Sequence, residues 1–523
     1  MKKNWVSAFL LTLSVALTAC GGGGQSTTQP ADKPAEPAKE AAAPAAPARE
    51  NVLIVAADQD PVGLDPHKVP AASSARIYGL IYDGLTKMDP EFNVIPNLAT
   101  KWEFSEDGKM LTFLLQPGVK FHNGREMTSE DVKYSFERIL NPDTGSTVKS
   151  FFASIEAIET PDANTVVFKL ANPDSAIVAN TSSAQVAIVP KEVADLNTEA
   201  VGTGPFMMEK MESGQYVQLK KNPNYFKEGL PKADGVKFTI MKDEAQRTAA
   251  IRSGKIDIAS VNADTAMLLE KTPALKIESY QSAEYGYLGI NTAKKPFDNP
   301  KVRQAISYAV NRDEIVQTVW KGQAELTGPI SPAQKSWALD TSSFASYKQD
   351  VTKAKELLKE AGLADGFKTT LYTASTYPDM IESAQVIQQQ LKAIGIDAQI
   401  NQLEWAAYIE MWKSKDTDLL VGRNTSGTDP DRSMRFFFST TGSANVWNYT
   451  NPAYDQVVQK ALETTDPAGR KELYNQAQQM LVEDAPNLFL ASPKNFYAVS
   501  EQVDGFVPTA AGEAFAIVRA SIK

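Results

Sequence analysis

The run Leu419-Leu420-Val421-Gly422-Arg423-Asn424-Thr425-Ser426-Gly427-Thr428-Asp429-Pro430-Asp431 sets an apolar strand directly before a polar loop. Such a loop at the end of a sheet suits ligand capture. Within it, the Arg423 guanidinium can hold a carboxylate or a phosphate through two parallel hydrogen bonds. An ordinary surface ion pair is the competing use. Asn424, Ser426 and Asp429 are the further polar candidates. Trp405 and Tyr408 before the strand, and Trp447 with Asn448 and Tyr449 after it, offer flat faces on which a ligand can stack. Core packing is an equal alternative for each ring.

Covalent chemistry finds little support. The chain contains no G-x-S-x-G elbow, P-loop, G-x-G-x-x-G or H-E-x-x-H motif, so neither an enzyme nor a bound cofactor is expected. Its two histidines, His67 and His122, lie far apart, and Cys20 is the single cysteine. That count excludes a disulfide within the chain and a Cys/His zinc site, so no metal is expected. Acidic residues outnumber basic ones 63 to 53, which repels polyanions and argues against nucleic-acid binding.

The elements that must position these residues begin after a long N-terminal preamble. Lys2 and Lys3 precede an apolar run over residues 8–17 that is too short to span a bilayer stably, the pattern of a signal peptide over residues 1–19. The run ends Leu17-Thr18-Ala19-Cys20, which resembles the lipobox of bacterial lipoproteins. The resemblance implies cleavage before Cys20, diacylglycerol on its thiol, and an exported protein held by lipid alone. Such a protein sits in the periplasm or on the outer face of the cytoplasmic membrane. Residues 20–50, rich in Gly, Ala and Pro without apolar periodicity, read as a tether reaching up to about 90 Å.

At 523 residues, 43% of them hydrophobic and 22% charged, the chain predicts soluble globular structure in more than one domain. A strand over 51–56, a turn at Asp58-Gln59-Asp60-Pro61 and a helix over 73–85 make one βα unit. Hairpin strands follow over 98–104, 111–115 and 165–170. A helix over 129–140 interrupts them, capped by Thr128, stopped by Asn141-Pro142, with Val132, Phe136 and Ile139 facing inward. Later the pattern alternates: helices over 302–319, 352–361, 378–394 and 405–413, strands over 368–373 and 397–402. That alternation predicts an α/β lobe with parallel strands.

Four segments carry a wider resemblance. They are the run from Phe121-His122-Asn123-Gly124-Arg125 through Thr128-Ser129-Glu130-Asp131 to Phe136-Glu137-Arg138; Leu98-Ala99-Thr100-Lys101-Trp102 with Asp107-Gly108; Gly202-Thr203-Gly204-Pro205-Phe206; and Asn291 with Lys295-Pro296-Phe297-Asp298 through Asn311-Arg312. In order and spacing they resemble the dipeptide, oligopeptide and nickel binding proteins of ABC transporters, solute-binding family 5. Turn glycines, caps and buried aliphatics are scaffold features, so these motifs are expected to be structural.

The resemblance implies an α/β fold of the periplasmic-binding-protein type II kind, a two-lobed clam with an extra β-rich domain inserted in the first lobe. Lobe I would comprise 51–92, 200–283 and 498–523; the insertion 93–199; lobe II 284–497. It further implies a monomer that closes on an oligopeptide or dipeptide and delivers it to permease and ATPase subunits. The alternatives are a non-peptide organic acid or sugar conjugate, or a metal chelate. Peptide-binding relatives place an aspartate before the acidic-Pro pair to meet the ligand ammonium, where this chain has Ser426 or Gly427. Tyr285 and Tyr287, near the inter-lobe crossing, are implied contacts, with Ser73, Ser74 and Tyr78 from the first lobe.

Overall fold

The structure, a computed structural model, describes residues 50–523. The signal segment, Cys20 and nearly all of the tether lie outside the described residues. Three sheets organise the body. The largest runs Leu275–Gln281, Ala491–Ser500, Ile258–Val261, Val52–Ala57, Gly235–Ile240, Tyr216–Lys221, Phe206–Glu212, with Ala324–Leu326 pairing to Ala491–Ser500 off that path. Val52–Ala57 lies parallel to both its neighbours. Its Val/Leu/Ile-rich sequence is that of a strand covered on both faces. Leu53 and Val55 enter one core with Tyr78, Ile81 and Phe238, and Ala56 enters another with Ile251 and Ala259.

A five-stranded sheet forms the second lobe in the order Ile396–Leu403, Phe367–Ala374, Leu419–Thr425, Glu284–Ile290, Asn487–Phe489. The first three strands are parallel, because helices Pro378–Lys392 and Trp405–Ser414 carry the chain back between them. Glu284–Ile290 instead runs antiparallel to both its neighbours. It arrives straight from Leu275–Gln281 in the other sheet, with no crossover helix to set its direction. The lobe is thus mixed where alternation alone predicts parallel strands.

The hairpin region is a four-stranded antiparallel sheet ordered Ala99–Phe104, Met110–Leu115, Thr165–Leu170, Ile155–Asp162. The last strand escaped the sequence pattern because Glu156, Glu159 and Pro161 break its alternation. Helix Ser129–Leu140 covers this sheet with the expected bounds, and Val132, Phe136 and Ile139 are fully buried. The Phe136 ring meets Phe152 and Phe168 edge-on at 5.1 and 4.7 Å. At its start the Thr128 amide donates to Asp131 Oδ2 at 3.0 Å.

The quoted motifs are scaffold. Arg125 grips Asp131 and Glu192 with separations of 2.6 and 2.7 Å. The His122 ring bridges the Gly204 carbonyl and the Gly202 amide. A Cβ on Gly202 or Gly204 would stand 2.1 or 2.5 Å from the Ile81 carbonyl oxygen, so this crossing needs bare backbone. The same crossing ends helix Ala72–Ile81 four residues short of the expected limit. The expected helix over 302–319 is two, Pro300–Ala309 and Arg312–Val319. Asn311 caps the second by accepting the Glu314 amide at 3.0 Å, while buried Arg312 donates to the Phe489, Ser307 and Ser346 carbonyls. Among the described residues no helix is long and apolar enough to cross a membrane.

Candidate ligand-binding site

The second lobe carries a cavity of about 370 Å³ in the size range of small-molecule sites. Helix Trp405–Ser414 lays Trp405, Tyr408, Ile409 and Trp412 along one wall, the i, i+3, i+4, i+7 face of a helix. Trp405 stacks on Tyr408, centroids 5.4 Å apart at 12°, and takes Tyr377 edge-on at 5.1 Å. Tyr287 and Trp447 close the opposite side with centroids 5.3 Å apart.

Two glycines allow the rings to sit flush. Gly422 pairs in register with Tyr287, and a Cβ there would stand 2.4 Å from the Tyr287 hydroxyl and 2.6 Å from that of Tyr408. A Cβ on Gly289 would stand 2.1 Å from the Trp447 ring. Burial, with the Tyr408 hydroxyl alongside, raises the Tyr287 phenol well above its ordinary value, so it is neutral. Trp447 Nε1 is buried with no hydrogen-bond partner among the described residues, an unused donor in the wall of the cavity.

Charge gathers at the mouth. Arg423 Nη2 lies 2.5 Å from Glu284 Oε2, its Nε 3.7 Å from Asp379 Oδ2, and its guanidinium 5.1 Å from the Tyr377 centroid. Burial works against the charge, but the carboxylates of Glu284 and Asp379 more than offset it and raise the Arg423 pKa. Two carboxylates around one guanidinium leave the mouth negative. It can therefore accept an ammonium at Glu284, whose side chain is 52% exposed.

Of the residues singled out by sequence, Arg423, Asn424, Trp405, Tyr408, Trp447 and Tyr287 line this one cavity. The others do not. Asp429 is buried and bound through both oxygens to Arg470, at 2.8 and 2.6 Å. Ser426 is buried and accepts the Ser331 amide at 2.8 Å. Tyr285 is buried and packs on Phe489 rather than lining the cavity. In the first lobe Ser74 accepts the Val62 and Gly63 amides, Tyr78 donates to the Val69 carbonyl, and Ser73 is buried beside them on the same helix. Sequence reasoning passed over Trp412, which its helical spacing from Trp405 and Tyr408 signals. It also passed over Glu284, Tyr377 and Asp379, which come from two separate elements and carry no local signal.

Residues 93–445 match the family described as bacterial extracellular solute-binding proteins, family 5 Middle. The chain belongs to family 5. Among its relatives is the glutathione-binding protein GsiB of Pectobacterium atrosepticum, 32% identical over 470 residues that span 87% of this chain and 91% of that one. Among solved structures, the ABC transporter-associated periplasmic binding protein DppA from Helicobacter pylori, in complex with peptide STSA, is 29% identical with a TM-score of 0.74, covering 90% of this chain and 98% of the other. AgaA from A. tumefaciens R10, in complex with agropinic acid, is 30% identical with a TM-score of 0.74, covering 90% and 99%. Family 5 proteins are extracellular solute-binding proteins, a role that suits two lobes and an aromatic cavity.

Proposed function

We propose that this chain is the extracytoplasmic binding subunit of an ABC importer, capturing a short peptide by lobe closure and presenting it to the permease and ATPase. The observation that carries the reading is the mouth of the second-lobe cavity, where Glu284, Asp379 and Arg423 sit beside an aromatic box. A peptide offers what that box accepts: an ammonium for the carboxylates and side chains for Trp405, Tyr408 and Trp412. Glu284 thereby supplies the charge that Ser426 and Gly427 lack. Relatives named for glutathione and for a bound STSA peptide support the choice of ligand. The division into lobes at 284, a lipid on Cys20, and a monomeric chain held at the membrane complete the proposal.

A carboxylate-rich non-peptide solute anchored on Arg423 is the second reading, favoured by the likeness to AgaA bound to agropinic acid. The deciding experiment denatures freshly purified protein and weighs the released ligand by mass spectrometry. Calorimetric titration of wild type and Glu284→Gln with glutathione and a tetrapeptide follows. Released peptide masses, with binding weakened about tenfold or more in Glu284→Gln, uphold the proposal. Recovery of non-peptide acids alone, with binding lost in Arg423→Ala and kept in Glu284→Gln, overturns it.

A further inference from the structure

A second cavity, of about 500 Å³, opens against the first lobe, with Thr428 of the second-lobe loop in its wall. Four cations line it, and their partners divide them into two kinds. Arg76 is bound to Asp58 and Glu513 at 3.0 and 2.9 Å, and Lys87 to Asp83 at 2.7 Å. Lys227 and Arg519 have no carboxylate within ion-pair distance among the described residues. Arg519 Nη1 donates to the Phe515 carbonyl at 3.0 Å and its guanidinium packs 3.6 Å from the Phe515 centroid, which fixes it without neutralising it. Lys227 has only the Phe226 ring, 5.6 Å from its ammonium to the centroid.

Two half-buried cations beside one cavity, each uncompensated, repel one another and have lost part of their water. Their surroundings add Lys87 and the buried Asp83, which cancel, and Tyr225, whose phenol burial keeps neutral. Arg76 with Asp58 and Glu513 sums to one negative charge and Lys87 with Asp83 to none, so Lys227 and Arg519 leave an entering anion a net single positive charge to meet. We propose that Lys227 and Arg519 form an anion subsite on the first-lobe side of the cleft, and that the group it takes is a carboxylate. A guanidinium held in one orientation and a lysine beside it match the planar, two-oxygen form of that group. The subsite stands independently of whether the captured solute is a peptide.

Lys227 is its own reporter. Burial, helped by Lys87 and Arg519, pushes its ammonium down to about 8, and a bound anion reverses that effect. The full chain is reductively methylated with ¹³C, and the Lys227 signal is assigned by its loss in Lys227→Arg. Its titration is then followed in chloride, with succinate at tens of millimolar, and with inorganic phosphate. Succinate is expected to move the midpoint up by about one pH unit, a tenfold gain in proton affinity. The gain should shrink in Arg519→Gln, whose thermal melt checks that it is folded. No movement with either anion overturns the subsite. Movement with phosphate and not succinate overturns the carboxylate assignment, and an undiminished gain in folded Arg519→Gln removes Arg519 from it.

Discussion

Replacing Asp429 with Asn separates a structural carboxylate from a ligand-binding one. The Asp429 and Arg470 side chains are 3% and 7% exposed and meet in a two-pronged pair. Burial opposes the Arg470 charge, and the Asp429 carboxylate outweighs it, holding the guanidinium pKa above its ordinary value. Asn keeps the shape but offers one acceptor and turns an N–H toward a donor. Removing one partner of a buried pair costs about 3–5 kcal/mol. Asp431 stands close enough to interact with Arg470 and compensates in part, so we expect about 3 kcal/mol. For a lobe of this size that lowers Tm by about 6–12 °C. A thermal melt reads the loss, and calorimetry on the folded variant at low temperature should find ligand affinity within about threefold of wild type. A variant that melts like wild type but no longer binds would refute the reasoning and return Asp429 to the ligand.

Gly422→Ala drives a methyl group onto the Tyr287 and Tyr408 hydroxyls, so ligand affinity should fall about tenfold or more by calorimetry; unchanged binding would show that this floor is not used. Burial, aided by Arg138, pushes His67 down to about 4, so the stability of its neutral form is present above the unfolded value of 6.5 and lost as pH falls through that window. The loss is about 3 kcal/mol and should be much smaller in His67→Gln, read by urea melts between pH 7 and 4. Burial, with Asp431 and Asp429 facing it across the lobes, lifts Asp174 to about 6, and its ionisation above that pH opposes the packing around it. Asp174→Asn should therefore raise Tm at neutral pH and lose that advantage progressively as pH falls from about 6 to 3.8; no gain at pH 7.5 would contradict this assignment.

Local signals carried most of the fold. The Ser129–Leu140 helix was legible to the residue because a cap, a three-to-four spacing of Val132, Phe136 and Ile139, and Asn141-Pro142 all act within one element. Where a boundary depends on a distant segment, the pattern misleads. Helix Ala72–Ile81 stops where Gly202 and Gly204 press on the Ile81 carbonyl, and the one local sign of it is the Asp83-Gly84 turn pair. The site divides the same way. Trp405, Tyr408 and Arg423 were legible from one helix and one strand. The fate of Asp429 turned on Arg470, 41 positions away, and the negative mouth needed Glu284 and Asp379 brought to Arg423 by two other elements.

The residues lining the aromatic cavity all come from the second lobe, between Glu284 and Trp447. A solute that touches only this cavity has equal affinity for open and closed forms and shifts nothing between them, however tightly it binds. Moving the lobes from mostly open to mostly closed takes about 5.5 kcal/mol of differential contact, which the first lobe must help to supply. Thr428 already reaches the wall of the first-lobe cavity where Lys227 and Arg519 lie uncompensated, so a distal carboxylate is the group that can make that contact. Two probes separate the steps: an aromatic amine small enough for the box alone, and a peptide of two or three residues with an aromatic first side chain and a free carboxylate. Small-angle scattering should show the amine binding without a change in radius of gyration and the peptide reducing it. Equal compaction by both would mean that the second-lobe box closes the molecule unaided, and that the first-lobe cations play no part in closure.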